Sequence, residues 1–194
     1  GDEALIELTE KFDDVKLAVD RLGISKKELK AAHDGIDRSV LASIRGAIEN
    51  VRKYQTEIFI GGKSDAKGGT GIRYTPIRRV GICVPGAAAP LPSTVIMTAV
   101  PAQVAGVKEL AVVSPPRHKG SIHPVILAVC FELGIEVVYR IGGAQAVGAL
   151  AHGTESIDKV DMIVGPGNKW VQSAKRAVSG DYVAIDSVAG PSEV

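Results

Sequence analysis

The chain has 194 residues, 45% of them hydrophobic and 23% charged, with a formal net charge of +1. That is the length of one ordinary domain with enough apolar content for a core, and it excludes disorder as the main state. Near-cancelling charge and 4% aromatics argue against a nucleic-acid surface, which needs a basic face and stacking rings, and two cysteines, Cys83 and Cys130, fit a reducing, cytoplasmic setting better than a disulfide framework.

Residues 1–60 read as a helical segment. Leu5, Leu8 and Phe12 fall on one helical face, Ser25 with Glu28 forms a capping box, and Val40, Ile44, Ile48, Val51 and Tyr54 make an apolar stripe. No charged stretch followed by a short apolar run opens the chain, so no signal peptide is read. Residues 61–78 read as a loop or linker, glycine-rich over 61–71. Lys63, Lys67, Arg73, Arg78 and Arg79 stand there against Asp65 alone, a local excess that could face a phosphate but more commonly marks a solvated edge. Gly62-Lys63-Ser64 resembles the end of a P-loop, yet Glu57 stands where the first glycine belongs and a helical pattern precedes it. Residues 80–107 carry no charge, but Pro85, Pro90, Pro92 and Pro101 break any membrane-spanning helix.

From residue 79 the pattern alternates. Apolar strands are expected over 79–84, 109–114, 136–139, 160–164 and 182–185, and helices over 93–105, 121–133, 143–150 and 169–178. Short apolar strands between helices favour parallel pairing with right-handed crossovers. The expected fold is therefore α/β: an open parallel sheet of incomplete Rossmann type over 79–188, preceded by the helical segment. Residues 189–194 read as the start of a following region that is cut short.

In such a sheet, ligands bind beyond the carboxyl ends of the strands. There the sequence places Val84-Pro85-Gly86-Ala87-Ala88-Ala89-Pro90, Ile141-Gly142-Gly143-Ala144-Gln145, Gly165-Pro166-Gly167-Asn168 and Ala189-Gly190-Pro191-Ser192. Small residues let backbone approach a ligand, and helix starts offer free N–H groups. Gln145 and Asn168 each follow such a turn and could bond a ribose, an amide or a phosphate. The dinucleotide fingerprint G-x-G-x-x-G is absent. His33, His118, His123 and His152 have no metal-ligand spacing, and His152 with Glu155 is a weak pair. Cys83 ends the first strand without a visible base beside it. Trp170 suits either a cleft wall or the core. Asp186 is the best-placed carboxylate, whereas Asp158 and Asp161 lie at the opposite end of a strand. The residues alone lead to a small-molecule cleft, without a nameable acid and base.

An ordered set of motifs goes further. Val-Gly-Ile-Cys-Val-Pro-Gly (80–86), Pro90-Leu91 with Ser93-Thr94-Val95, Gly-Gly-Ala-Gln-Ala (142–146), Val160-Asp161 with Gly-Pro-Gly-Asn (165–168), Ala174-Lys175-Arg176 and Ala-Gly-Pro-Ser-Glu-Val (189–194) closely resemble the L-histidinol dehydrogenase family. The opening Gly-Asp-Glu-Ala with Lys11-Phe12-Asp13 is similar to the family's N-terminal helical region. The resemblance implies an NAD-dependent, two-step oxidation of L-histidinol to L-histidine through an enzyme-held aldehyde, with a zinc ion and a Glu-His pair, in an intertwined homodimer. It implies that Gln145 and Asn168 contact NAD and that Ser192 contacts substrate. Cys83 stands where some members carry a Tyr directed at NAD, and joins the cofactor-binding set. The Glu-His pair and the zinc ligands are expected beyond Val194, so no catalytic residue and no metal ligand is expected in this chain. Neither a nucleic acid nor a membrane is an expected partner. Alternatives left open are a relative oxidising another small alcohol, such as a sulfonated diol, and a non-catalytic nucleotide-binding module.

Overall fold

The computed structural model describes residues 1–61, 73–86 and 89–187. The glycine-rich run from Gly62, Ala87 and Ala88, and the 189–194 motif with Ser192 lie outside the described residues.

Helices α1 (Asp2–Asp13), α2 (Lys26–Asp34) and α3 (Arg38–Ile58) come first. They are followed by β1 (Arg79–Cys83), α4 (Pro92–Val104), β2 (Glu109–Val113), α5 (Pro124–Glu132), β3 (Val137–Tyr139), α6 (Gly143–His152), β4 (Met162–Val164), α7 (Lys169–Val178) and β5 (Ala184–Ile185). The strands form one sheet in the order β3-β2-β1-β4-β5, and every pairing is parallel. The chain thus winds outward from β1 through β2 to β3, returns through α6, and continues on β1's other side. That reversal creates a topological switch point between β1 and β4, where an open α/β sheet leaves a crevice.

The sheet's alternating side chains separate two cores. Val80, Ile82, Leu110 and Val112 pack with residues of α4 and α5, and Leu29 of α2 and Ile44 of α3 join them. Cys83, Ala111, Val113 and Ile163 pack on the other face with residues of α6 and α7, and Leu5 of α1 joins there. Burial of both faces explains why the strands read as continuous apolar runs. The N-terminal helices are divided between the two faces. Their apolar stripes are only partly covered: Ile44 is buried and Ile48 and Val51 partly so, whereas Phe12, Val40 and Tyr54 stay exposed.

The edge strand β3 is covered locally. Ile24 donates its N–H to Val138 at 2.8 Å, and Gly23 bridges Tyr139 antiparallel. An edge with free N–H and C=O groups invites foreign pairing, and this segment occupies it. The predicted capping box forms in full at Ser25 and Glu28. Arg140, 2% exposed, ties this corner together. Its guanidinium donates to Arg21 O (2.9 Å), Gly23 O (2.6 Å), Ser121 Oγ (3.1 Å) and Glu28 Oε1 (2.5 Å).

Strands are shorter than their apolar runs. β4 begins at Met162: Val160 donates its N–H away from the sheet to Leu150 O of α6, and Asp161 leads into the strand with its N–H on Arg79 O of β1. α4 starts at Pro92 and α5 at Pro124, where a fixed φ suits the first helical turn.

Candidate functional site

The turns at the carboxyl edge of the sheet are packed into one surface. Pro115, just past β2, is the centre of it: an added Cβ at Gly86 would overlap its ring, and so would one at Gly142. The turns following β1, β2 and β3 therefore touch, and two of them need glycine for that approach. Arg117 fixes the same group, donating to Gly86 O at 3.1 Å and to Asp13 Oδ1 of α1 at 2.8 Å.

Across the switch point, Gly165 sits against the backbone of Cys83. Its φ is +106°, and an added Cβ would collide with the Cys83 carbonyl oxygen. The residue is held from two sides. Its N–H donates to Asp186 Oδ2 at 2.8 Å, and its carbonyl accepts from Lys175 Nζ at 3.0 Å. Lys175, 1% exposed, also forms an ion pair with Asp186.

From this turn α7 begins. Asn168 is its N-cap, with Oδ1 accepting from Trp170 N at 3.0 Å and Val171 N at 3.1 Å. Asn168 is exposed and Trp170 is 64% exposed, so the tryptophan is a surface wall and not core, with Lys169 Nζ 5.1 Å from its ring centroid. α6 begins differently. Its N-cap is Gly142, and no side chain caps it. The half-buried Gln145 folds its amide over Gly143, filling the space a Cβ would take there. The structure thus places Gln145 and Asn168 at two helix starts on one sheet edge.

Cys83 lies beneath this surface. It is 6% exposed, and burial pushes its thiol up to about 12, with Lys175 opposing and Asp186 adding to the shift. A thiol so raised is a neutral apolar group at physiological pH. Cys130 is likewise buried and pushed up to about 12.

The remaining candidates are dispersed. His152 packs edge-on against Tyr182, with ring centroids 4.6 Å apart, while Glu155 accepts the Asp2 N–H at 2.8 Å. His118 and His123 meet at 4.5 Å, and His123 caps α5 by accepting from Val125 N at 3.3 Å. Burial lowers the pKa of His123, and His118 adds to that. Among the described residues no cluster of three or more His, Cys, Asp or Glu could hold a metal ion. The described residues do not fit zinc. Among them, too, no helix is long and apolar enough to cross a membrane.

A cavity of about 220 Å³ opens at the opposite edge, among Arg79, Gln103, Lys108, Glu109 and Glu136. It lies at the amino ends of β1–β3, with Arg79 paired to Glu109 (3.1 Å) and Asp158 (3.3 Å). The carboxyl edge is the better candidate, because the strand-order reversal and the uncapped helix start are both there.

The sequence singled out Gln145, Asn168 and Asp186. It did not single out Pro115, Arg117 or the Lys175–Asp186 pair. Asp186 after a strand and Lys175 within the Ala174-Lys175-Arg176 motif were the signals that could have led to the pair.

These features define an open, doubly wound α/β domain with its candidate site at the switch point. The family described as histidinol dehydrogenase matches residues 1–194. The chain is 49% identical to a histidinol dehydrogenase of Rhodopirellula baltica over 197 residues, covering all of this chain and 43% of that protein. It is 48% identical to one of Geobacillus kaustophilus over 200 residues, covering all of this chain and 46% of that protein. The crystal structure of histidinol dehydrogenase from Elizabethkingia anophelis superposes with a TM-score of 0.91 at 38% identity, covering 98% of this chain and 44% of that one. The chain belongs to the histidinol dehydrogenase family, and it spans less than half the length of these relatives.

Proposed function

We propose that this chain carries the NAD side of a histidinol dehydrogenase site, in an enzyme that oxidises L-histidinol to L-histidine in two steps through histidinal. The observation that supports it is the joined carboxyl edge, with the uncapped start of α6 beside Gln145 and the Asn168-capped start of α7. This edge fits a dinucleotide: free N–H groups at a helix start suit phosphate, and amide side chains suit ribose or nicotinamide. NAD, when bound, accepts the hydride at each oxidation.

The chain's own residues bind and orient. Asn168 holds the first turn of α7 in shape. Gln145 offers its amide at the start of α6. Cys83, buried and neutral, supports the floor between β1 and β4 without acting as a nucleophile. Ser192 is assigned to substrate through the family resemblance. Zinc binding and proton transfer are assigned to residues other than these. A homodimer in the cytoplasm completes the reading.

The test pairs two measurements on the purified chain. Calorimetry with NAD is expected to give saturable binding, and NADH formation from L-histidinol with added zinc is expected to be absent. Turnover would place the chemistry inside these residues and overturn the assignment. Absence of NAD binding would overturn the cofactor reading.

A further inference from the structure

We propose that the ion pair between buried Lys175 and solvent-exposed Asp186 is a positioning device for the 165–168 turn, holding both peptide groups of Gly165 so that Asn168 and the first turn of α7 are presented to the dinucleotide. The proposal rests on the reading of this edge as an NAD site and adds the residues that set its geometry.

Gly165 leaves β4 with a φ of +106°, pressed against the Cys83 carbonyl. In that conformation its N–H and C=O point out of the sheet ladder and need other partners. They find them in one ion pair. Asp186 Oδ2 takes the N–H at 2.8 Å, and Lys175 Nζ gives a hydrogen bond to the C=O at 3.0 Å. The other carboxylate oxygen of Asp186 accepts from Lys175 and from Ser187 N, the latter at 2.8 Å. Lys175 is on the same helix that Asn168 caps, and its side chain reaches back toward the helix start, the direction helical side chains take. Asp186 comes from the end of β5. The clamp therefore joins β4, α7 and β5 at the residue where the turn begins, three positions before the cap.

Stability alone does not account for such a pair. Burying the Lys175 ammonium costs desolvation, and Asp186, itself exposed to solvent, returns only a screened attraction, so an apolar side chain would fill the Lys175 site at least as well. What the apolar side chain lacks is the ability to hold a peptide group in a fixed orientation. Lys175 and Asp186 direct their bonds at a single glycine, which is the expected arrangement for a support that orients a binding turn.

Two double variants test this in the purified chain. Lys175→Met/Asp186→Leu removes the clamp without leaving a buried charge. Lys175→Met/Asp186→Asn keeps one oxygen to accept the Gly165 N–H. The first is expected to melt within a few degrees of the parent yet bind NAD about tenfold more weakly, the size of effect that loss of a charge-assisted hydrogen bond ordering the turn would give. The second is expected to recover most of that loss. In amide hydrogen exchange, Trp170 and Val171, the two N–H groups that Asn168 caps, are expected to exchange faster in the first variant, while Val80 to Ile82 keep parent rates. Uniformly faster exchange throughout the chain would mean a structural role only and would overturn the proposal. Parent-like exchange at Trp170 and Val171 would overturn it too, as would parent-like NAD affinity in the first variant. If the parent itself binds no NAD, the cofactor reading fails, and the exchange rates alone decide whether the pair positions the turn.

Discussion

Replacing Asn168 separates the stability of the α7 start from its proposed role in binding. Asn168 Oδ1 accepts from Trp170 N at 3.0 Å and Val171 N at 3.1 Å. Asn168→Ala leaves both donors to solvent, and loss of an N-cap costs about 1 kcal/mol. For a domain of this size that lowers the melting temperature by roughly 2–4 °C. The same change frays the first turn of α7, and NAD affinity is expected to fall about tenfold, equivalent to ~1.4 kcal/mol. Asn168→Asp is the informative partner. A carboxylate keeps both acceptors and is favourable at a helix start by about 0.3–1 kcal/mol. That variant is expected to melt at or above the parent. It also adds a negative charge where the dinucleotide's phosphates would approach, so its NAD affinity is expected to fall at least as far as that of the alanine variant. Differential scanning fluorimetry and calorimetry give both quantities. Parent-like NAD affinity in both variants would refute the placement of the cofactor, and an alanine variant that melts with the parent would refute the capping argument.

Other outcomes follow from the buried groups. Cys83 and Cys130, each pushed up to about 12, are expected to resist iodoacetamide at pH 8 in the folded chain and to react in urea, as read by intact mass. Because those folded pKa values are raised, the stability linked to the thiols is present below the unfolded value near 9. It is lost as pH rises towards 12, so alkaline melts of Cys→Ala variants should fall less steeply than the parent's. Glu132 is held below the ordinary carboxylate range first by the Arg45 hydrogen bonds, with His33 adding a further one. Its contribution is therefore present above pH 4.5 and lost as pH falls through the lower folded value. Melts from pH 6 to 3 should drop less in Glu132→Gln than in the parent, and parallel curves would count against the linkage. Arg140→Ala removes the guanidinium that bonds Arg21 O, Gly23 O and Glu28. A loss of about 3 kcal/mol is expected in urea unfolding, and a loss under ~1 kcal/mol would show that solvent replaces those bonds.

Much of this architecture was legible because its signals are local. Five apolar runs separated by helical patterns indicated a parallel sheet, and the Ser25–Glu28 box sits where the sequence put it. The glycine turns before Gln145 and Asn168 marked two helix starts that do begin at once. What could not be read depends on contacts between distant segments. Strand order is set by how the crossovers pack, so the switch point between β1 and β4 emerges only in the fold. The exposure of Phe12, Val40 and Tyr54 depends on how far α1 and α3 are covered, which periodicity does not encode. Pro115 was one loop residue among many until Gly86 and Gly142 closed on it. Lys175 was legible as part of the Ala174-Lys175-Arg176 motif but not as half of an ion pair, because only the Gly165 turn and the residue after β5 bring it its partners.

The most direct test is an NMR titration of the isotopically labelled chain with NAD. Binding at the switch point predicts shifts concentrated in the amides of 142–145 and 165–171, with the Arg79–Lys108 cavity unperturbed. Shifts confined to that cavity, or none with millimolar NAD, would contradict the assignment of this edge as the cofactor site.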